Sequence, residues 1–128
     1  MSNDFDIDMD KARSFLAEKD AKRDAELDSS FQEATSDFDC IVGHIIKKYN
    51  PKRIWQWGSL LDRKLFSEIS DIDIALEGIS EPQIFFDIIG YASNLSRFPV
   101  DIVEIENVGK DNAEHILKKG RCVYERSR

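Results

Sequence analysis

The stretch IWQWGSLLDRKLFSEISDIDIALEG, residues 54–78, decides the fold of this chain. A strand-like apolar run ends at Gly58 and Ser59, and a second one opens with Asp71 and Asp73. Because successive side chains of a strand point to opposite faces, the two carboxylates share one face, about 7 Å apart. That arrangement suits a hard cation such as Mg²⁺, and backbone N–H groups of the Gly-Ser turn can receive phosphate. The stretch therefore indicates nucleotide chemistry.

A third candidate carboxylate is Asp101, which lies between Val100 and Ile102 in a third apolar run, thirty residues after Asp71. A carboxylate inside an apolar strand is unfavourable unless it is paired or binds a metal. A lone Asp-x-Asp is usually a surface feature. With the Gly-Ser turn before it and Asp101 after it, we interpret Asp71, Asp73 and Asp101 as metal-binding and catalytic residues.

These residues resemble the signature of the nucleotidyltransferase superfamily that includes DNA polymerase beta. The resemblance covers about residues 40–125 and is greatest to the minimal nucleotidyltransferases of bacteria and archaea, which are often antitoxins. It implies an α+β fold in which helices pack on a small mixed sheet. It also implies that Asp71, Asp73 and Asp101 hold Mg²⁺, with two ions expected for an in-line displacement.

The chain departs from the commoner form of the family motif, which is Gly-Ser-x-Ala-Arg-Gly with one residue fewer before the first aspartate. Asp62 occupies the position of the motif arginine. Gly58 and Ser59 are still expected to bind the nucleotide phosphates. Arg63 or Lys64 is expected to replace the missing arginine in that contact.

Charge is distributed unevenly along the chain. Residues 1–40 contain twelve acidic and five basic residues, which accounts for the whole net charge of −7. An acidic surface argues against a nucleic-acid partner, because binding of the phosphate backbone needs basic patches. No apolar run has the length of a membrane span and the N-terminus lacks a signal segment, so we expect a cytoplasmic protein without membrane attachment.

The pattern predicts an acidic, helical N-terminal extension over residues 1–40 and a nucleotidyltransferase domain over residues 41–128. Helical spacing of apolar residues continues to about residue 49. A helix of that length would run about 60 Å, so we expect either a break near residues 28–30 or a helix that projects beyond the domain.

Three apolar residues of this extension, Phe15, Leu16 and Leu27, are expected to be exposed and to need a partner surface. The surface would belong to a second copy of the chain, giving a homodimer, or to a helical partner protein. The aspartates at positions 4, 6, 8 and 10 also alternate. No Gly-Ser turn precedes them, so they are expected to cap or solvate the first helix.

After residue 50 the pattern alternates between strands and helices. The predicted strands cover residues 54–57, 71–76, 100–105 and 122–124, and the predicted helices cover residues 81–95 and 111–119. Trp55 and Trp57 alternate on the first strand. They are interpreted as core residues, with stacking on a nucleobase as the alternative.

The resemblance implies transfer of a nucleoside monophosphate, AMP from ATP, to a hydroxyl group. In the minimal group the acceptor can lie on a helical HEPN-type toxin or a related substrate-binding protein. A rival hypothesis is a non-catalytic antitoxin with a vestigial nucleotide site. A third is a homodimeric enzyme that modifies a small molecule.

Overall fold

A computed structural model describes the fold over residues 8–127. Its elements are helix α1 (Met9–Tyr49), strand β1 (Arg53–Trp57), strand β2 (Ile72–Glu77), helix α2 (Pro82–Leu95), strand β3 (Val100–Glu104), helix α3 (Lys110–Lys119) and strand β4 (Arg121–Glu125). Two short 3-10 segments, Gly58–Leu61 and Arg63–Leu65, connect β1 to β2. The predicted α+β class is confirmed.

The four strands form one mixed sheet in the order β3-β2-β1-β4. Strand β1 is antiparallel to both of its neighbours, whereas β2 and β3 are parallel. A parallel pair needs a crossover connection, and α2 provides it. The small mixed sheet packed by helices is therefore as predicted.

The strand register shows which residues share each face of the sheet. Trp57 is paired with Asp73, and Asp73 is paired with Asp101, so these three residues form one row. We call the side of the sheet that carries them the carboxylate face. The opposite face forms the core. Its fully buried strand residues are Ile54, Ile72, Ile74 and Leu76, and the fully buried helix residues of the same cluster are Ile41 and Ile45 of α1 and Ile88 and Ala92 of α2.

Helix α1 is continuous over 41 residues, with no break at residues 28–30. Its buried residues begin at Leu27, which is 9% exposed and belongs to the core cluster. The expectation that Leu27 is exposed is therefore wrong, because the helix already packs against the core cluster at that point. Phe15 and Leu16 are 65% and 56% exposed, as expected.

The projecting part of α1 leaves the body at the end of the sheet that carries Gly58 and Asp71. Ion pairs place it there: Asp28 and Arg23 of α1 pair with Arg63 and Glu68 of the β1–β2 connection. Residues 9–22, which we call the arm, are all exposed. At 1.5 Å per residue the arm extends for about 21 Å.

The division into an extension of residues 1–40 and a domain of residues 41–128 stays a prediction. Residues 1–7, with Asp4 and Asp6, lie outside the described residues. Asp8 is at the helix N-cap, and its side chain makes no capping hydrogen bond within the described part of the chain. Among residues 8–127, none of the helices is both long enough and apolar enough to traverse a lipid bilayer.

Candidate functional site

Gly58 brings the two halves of the motif into contact. It follows β1 with a φ of +80°, and a Cβ at this position would lie 2.0 Å from Oδ2 of Asp73. Only glycine tolerates both the left-handed conformation and so close an approach. Ser59 follows, half-buried in the first 3-10 segment. The Gly-Ser turn therefore lies directly against the Asp-x-Asp strand, and phosphate binding by Gly58 and Ser59 stays a prediction.

The three predicted carboxylates share one electrostatic environment. Asp73 is half-buried in β2, Asp101 lies beside it on β3, and Asp71 immediately precedes β2. Burial, the negative charge of Asp101 and the negative charge of Asp71, in that order, raise the pKa of Asp73 to about 6. A nearby cation would stabilise the ionised form of a carboxylate whose pKa is raised in this way.

The carboxylates offer an open set of oxygen ligands to a divalent cation. Within residues 8–127, no three or more histidine, cysteine or acidic side chains form a ready-made metal site. Asp71 and Asp101 thus lie close enough to Asp73 to raise its pKa, but the three carboxylates do not form a complete metal-binding site by themselves. Mg²⁺ commonly takes one or two carboxylates, retains waters and binds substrate phosphates. The all-oxygen set of Asp71, Asp73 and Asp101 fits such a cation, and their role as metal ligands stays a prediction.

The structure does not bring Arg63 to the carboxylates. Its Nε lies 2.5 Å from Oδ1 of Asp28, and a second guanidinium nitrogen donates to the carbonyl of Asp24 at 3.2 Å. Lys64 is exposed, and its backbone N–H donates to Oδ1 of Asp62 at 2.9 Å. Asp62, which stands in the place of the motif arginine, thus caps the second 3-10 segment. Phosphate contact by Arg63 or Lys64 stays a prediction, and Arg63 would have to release Asp28 to make it.

The turn before Asp71 was not recognised from the sequence. The Ser70 hydroxyl accepts a hydrogen bond from the backbone N–H of Ser67 at 2.8 Å. Glu68 in the same turn forms a two-pronged ion pair with Arg23 of α1, at 2.6 and 3.2 Å. The hydrogen bond from Arg23 lowers the pKa of Glu68 to about 2. Helix α1 therefore stabilises the turn that precedes Asp71, and only a tertiary structure reveals this contact.

The two tryptophans of β1 differ in their polar partners. Trp55 Nε1 donates to Oε1 of Glu77 at 2.7 Å. Trp57 Nε1 is buried and has no hydrogen-bond partner among the described residues. Trp57 lines a cavity of about 190 Å³ together with Val103, Val108, Asn112, His115 and Ile116. The sequence gives no reason to expect different roles for the two tryptophans, but in the structure only Trp55 has a hydrogen-bond partner for its indole nitrogen among the described residues.

Comparison with known proteins identifies one matching family and a structure of similar fold. The family model described as "Polymerase beta, Nucleotidyltransferase" matches residues 41–128, well over half of the chain. A solved structure described as "Crystal structure of the toxin-antitoxin with AMP-PNP" is similar, with a TM-score of 0.56, 16% identity, and coverage of 68% of this chain and 73% of that one. At that identity the similarity supports the fold alone. The comparison with curated proteins found no match.

Proposed function

Since this chain belongs to the polymerase beta nucleotidyltransferase family, we propose that it transfers AMP from ATP to a hydroxyl group and releases pyrophosphate. The observation that carries the proposal is the contact of Gly58 with the Asp73 carboxylate, with Asp101 in register beside it. A phosphate-binding turn and a set of carboxylates would then act on one triphosphate. Nothing in structural packing alone requires three acidic side chains to be grouped at a Gly-Ser turn.

Each residue has a separate role in the proposed reaction. Gly58 and Ser59 bind the terminal phosphates, and Asp71 and Asp73 would hold Mg²⁺ on the triphosphate, whose α-phosphate must be in line with the attacking hydroxyl. Asp101, the exposed carboxylate of the row, accepts the proton of the attacking hydroxyl. The hydroxyl oxygen forms a bond to the α-phosphorus while the bond to the bridging oxygen breaks, and pyrophosphate leaves. Mg²⁺ held by the aspartates would supply the positive charge that lets a triphosphate approach them.

We further propose that the acceptor hydroxyl lies on a helical partner protein of the HEPN toxin type, so that the chain acts as an antitoxin. The similar structure is described as a toxin–antitoxin with AMP-PNP, and this supports the proposal by analogy of fold. The exposed arm supports it independently, since it offers a surface for a partner and leaves the body beside the turn that precedes Asp71. The competing hypothesis is a non-catalytic antitoxin that blocks its partner sterically.

The test is transfer of labelled AMP. The protein is incubated with its cognate helical partner, Mg²⁺ and ATP labelled at the α-phosphate, and the mass of the partner is measured. We expect the partner to gain one or more AMP groups. Asp101→Asn should abolish the gain while the complex still forms, because the substitution removes the proton acceptor and preserves the shape. Asp39→Asn, an exposed change on α1, is the control and should leave transfer unchanged.

Two results would contradict this assignment. A wild-type protein that neutralises its partner without any increase in mass would favour the steric antitoxin. Transfer to a small alcohol or sugar in the absence of any partner protein would favour the small-molecule enzyme.

A further inference from the structure

Strand β3, which carries Asp101, is one edge of the sheet. The strand order β3-β2-β1-β4 leaves β3 and β4 each with a neighbouring strand on one side. An edge strand presents a row of backbone N–H and C=O groups that can pair with a further strand. The backbone of each edge and the residues around it decide which of the two can accept one.

Hydrogen bonds of the ladder show the direction in which the backbone of β3 faces. The N–H of Ile72 donates to the carbonyl of Pro99, and the N–H of Ile105 donates to the carbonyl of Leu76, both at 2.9 Å. Because successive residues of a strand direct their backbone groups to opposite sides, odd-numbered residues of β3 face β2 and even-numbered residues face away from it. The residues that face away are Val100, Ile102 and Glu104. Within residues 8–127, no strand pairs with this side of β3.

The two edges differ in their suitability for an added strand. The pairing of β4 with β1 is interrupted by a register shift between Ile54 and Trp55, and charged residues occupy both ends of β4, Arg121 and Glu125. Bulges and charges at an edge oppose further pairing. Strand β3 pairs with β2 in unbroken register over five residues. Its outer side is therefore regular enough to receive a strand.

An open groove of about 400 Å³ lies against β3. It is lined by Ile102 and Val103 of the strand and by Phe85 and Phe86 of α2. Phe86 is 64% exposed, and exposed apolar side chains grouped at a groove are typical of interaction sites. Peptides that add to a sheet edge need such pockets for their side chains besides the backbone hydrogen bonds. The groove therefore supplies the second requirement for strand addition.

Acidic residues surround this edge. Residues 98–109 contain three acidic residues, Asp101, Glu104 and Glu106, and no basic one. Glu104 lines the groove, and Glu104 and Glu106 both line an adjoining recess of about 310 Å³. Two copies of this edge would bring like charges together, and each chain already has a net charge of −7. The charge therefore favours a basic strand from another protein over a second copy of this chain.

We propose that β3 binds an extended, basic segment of the partner protein, which adds to the sheet as a fifth strand. The backbone of this segment pairs with Val100, Ile102 and Glu104, and its apolar side chains occupy the groove beside Phe86. Its basic side chains offset the acidic residues of the edge. The assignment of the segment to the protein that accepts AMP rests on the proposed function.

The position of Asp101 relates the added strand to the reaction. Residues opposite each other on neighbouring strands share one face of the sheet, with Cβ atoms about 4.5–5.5 Å apart. The residue of the added strand opposite Asp101 would therefore lie on the carboxylate face, beside the proposed proton acceptor. A serine, threonine or tyrosine at that place in the segment is the acceptor that this geometry favours.

The first test measures hydrogen exchange of the backbone amides, without ATP, and uses the peptide Lys-Val-Lys-Val-Ser-Val-Lys with both ends capped. In the free protein the amides of Ile102 and Glu104 should exchange faster than those of Asp101 and Val103, which face β2. Peptide at about ten times its dissociation constant should slow exchange at Ile102 and Glu104 about tenfold.

Two control peptides separate backbone pairing from charge. The same peptide with N-methylated internal amides keeps the side chains but cannot donate hydrogen bonds, and a peptide with glutamate in place of lysine reverses the charge. Both should fail to slow exchange at Ile102 and Glu104. Equal protection by either control, or amides already protected in the free protein, would overturn the proposal. Protection that increases with protein concentration in the absence of peptide would overturn it in favour of a second copy.

Phe86→Ala tests the groove and its relation to the reaction. We expect this variant to weaken peptide binding about five- to tenfold, because it removes apolar contact area. At partner concentrations below saturation, AMP transfer to the cognate partner should fall by a similar factor. Leu95→Ala is the matched control, since Leu95 lies at the other end of α2 and is 41% exposed, and it should change neither.

The outcomes of this comparison are distinct. Unchanged peptide binding in Phe86→Ala would overturn the docking site. Weaker peptide binding with unchanged AMP transfer would overturn the assignment of the docked segment to the acceptor. A partner that gains no AMP from the wild-type protein would overturn the proposed function alone, since peptide binding is measured without ATP.

Discussion

Asp73 combines three unfavourable conditions: it is half-buried, it touches Gly58, and it lies beside a second carboxylate. Its pKa of about 6, against an ordinary 3.8, means that the folded chain holds the proton more tightly than the unfolded chain. Between about pH 4 and pH 6 the folded state binds more protons, so stability falls as the pH rises through this window and stays lower above it. The carboxylate thus reduces stability at neutral pH.

We therefore expect Asp73→Asn to stabilise the protein at pH 7.5 without Mg²⁺. A pKa rise of this size corresponds to at most about 3 kcal/mol, and solvent screening of a half-buried group reduces this to about 1–2 kcal/mol. The gain should be markedly smaller at pH 4.5, where Asp73 is protonated in the folded state. Urea unfolding at the two pH values measures it, with Asp39→Asn as the control for loss of a charge. An equal gain at both pH values would show that Asp73 carries no such electrostatic strain.

Gly58 offers a second test at the scale of one residue. Gly58→Ala places a methyl group within 2.0 Å of the Asp73 carboxylate and imposes a φ of +80° on alanine. We expect a loss of about 1–3 kcal/mol in the free energy of unfolding, together with loss of Mg²⁺-dependent ATP binding. Gly43→Ala is the matched control: Gly43 lies within α1, and a methyl group added there would meet open space, so alanine should stabilise the helix by about 0.5–1 kcal/mol. If Gly58→Ala and Gly43→Ala lowered the free energy of unfolding by the same small amount, the close approach of Gly58 to Asp73 would not be the cause of the loss.

At the scale of elements, α1 has two parts with different tasks. From Leu27 onward it forms the core with the sheet, while residues 9–22 are exposed throughout and present Phe15 and Leu16 to solvent. The family match begins at residue 41, yet Ala34 and Phe38 are buried in the core. The part of this helix that packs in the core therefore begins before the part that the family model matches.

Two truncations separate these parts. Deletion of residues 1–22 should leave the urea midpoint and ATP binding unchanged, because it keeps Arg23 and every buried side chain of α1. It should weaken self-association or binding of the helical partner, measured by sedimentation velocity. Deletion of residues 1–40 should destabilise the fold by several kcal/mol, since it removes buried Leu27, Ala34 and Phe38. If the shorter deletion leaves the assembly state unchanged both alone and with the partner, the arm has no role in interaction.

At the scale of the whole molecule, features set by local spacing could be predicted and features set by distant contacts could not. The alternation of Asp71 and Asp73 and the turn at Gly58 follow from strand periodicity and glycine chemistry, and these gave the sheet and the candidate site. The pairing of Arg63 with Asp28 joins residues 35 apart in the chain. The burial of the Trp57 nitrogen without a partner is likewise a feature of the tertiary structure. No periodicity encodes either feature, because both depend on which elements meet in three dimensions.

The continuity of α1 also has a geometric consequence for any protein bound to the arm. A flexible tether lets its cargo search a large volume, whereas a helix without a break holds it at a fixed distance and angle from the end of the sheet. One residue inserted between the arm and Arg23 would move Phe15 by only about 1.5 Å along the axis and rotate it by about 100° around it. A change in the number of residues in α1 would therefore alter the orientation of a molecule bound to the arm far more than its distance from the sheet.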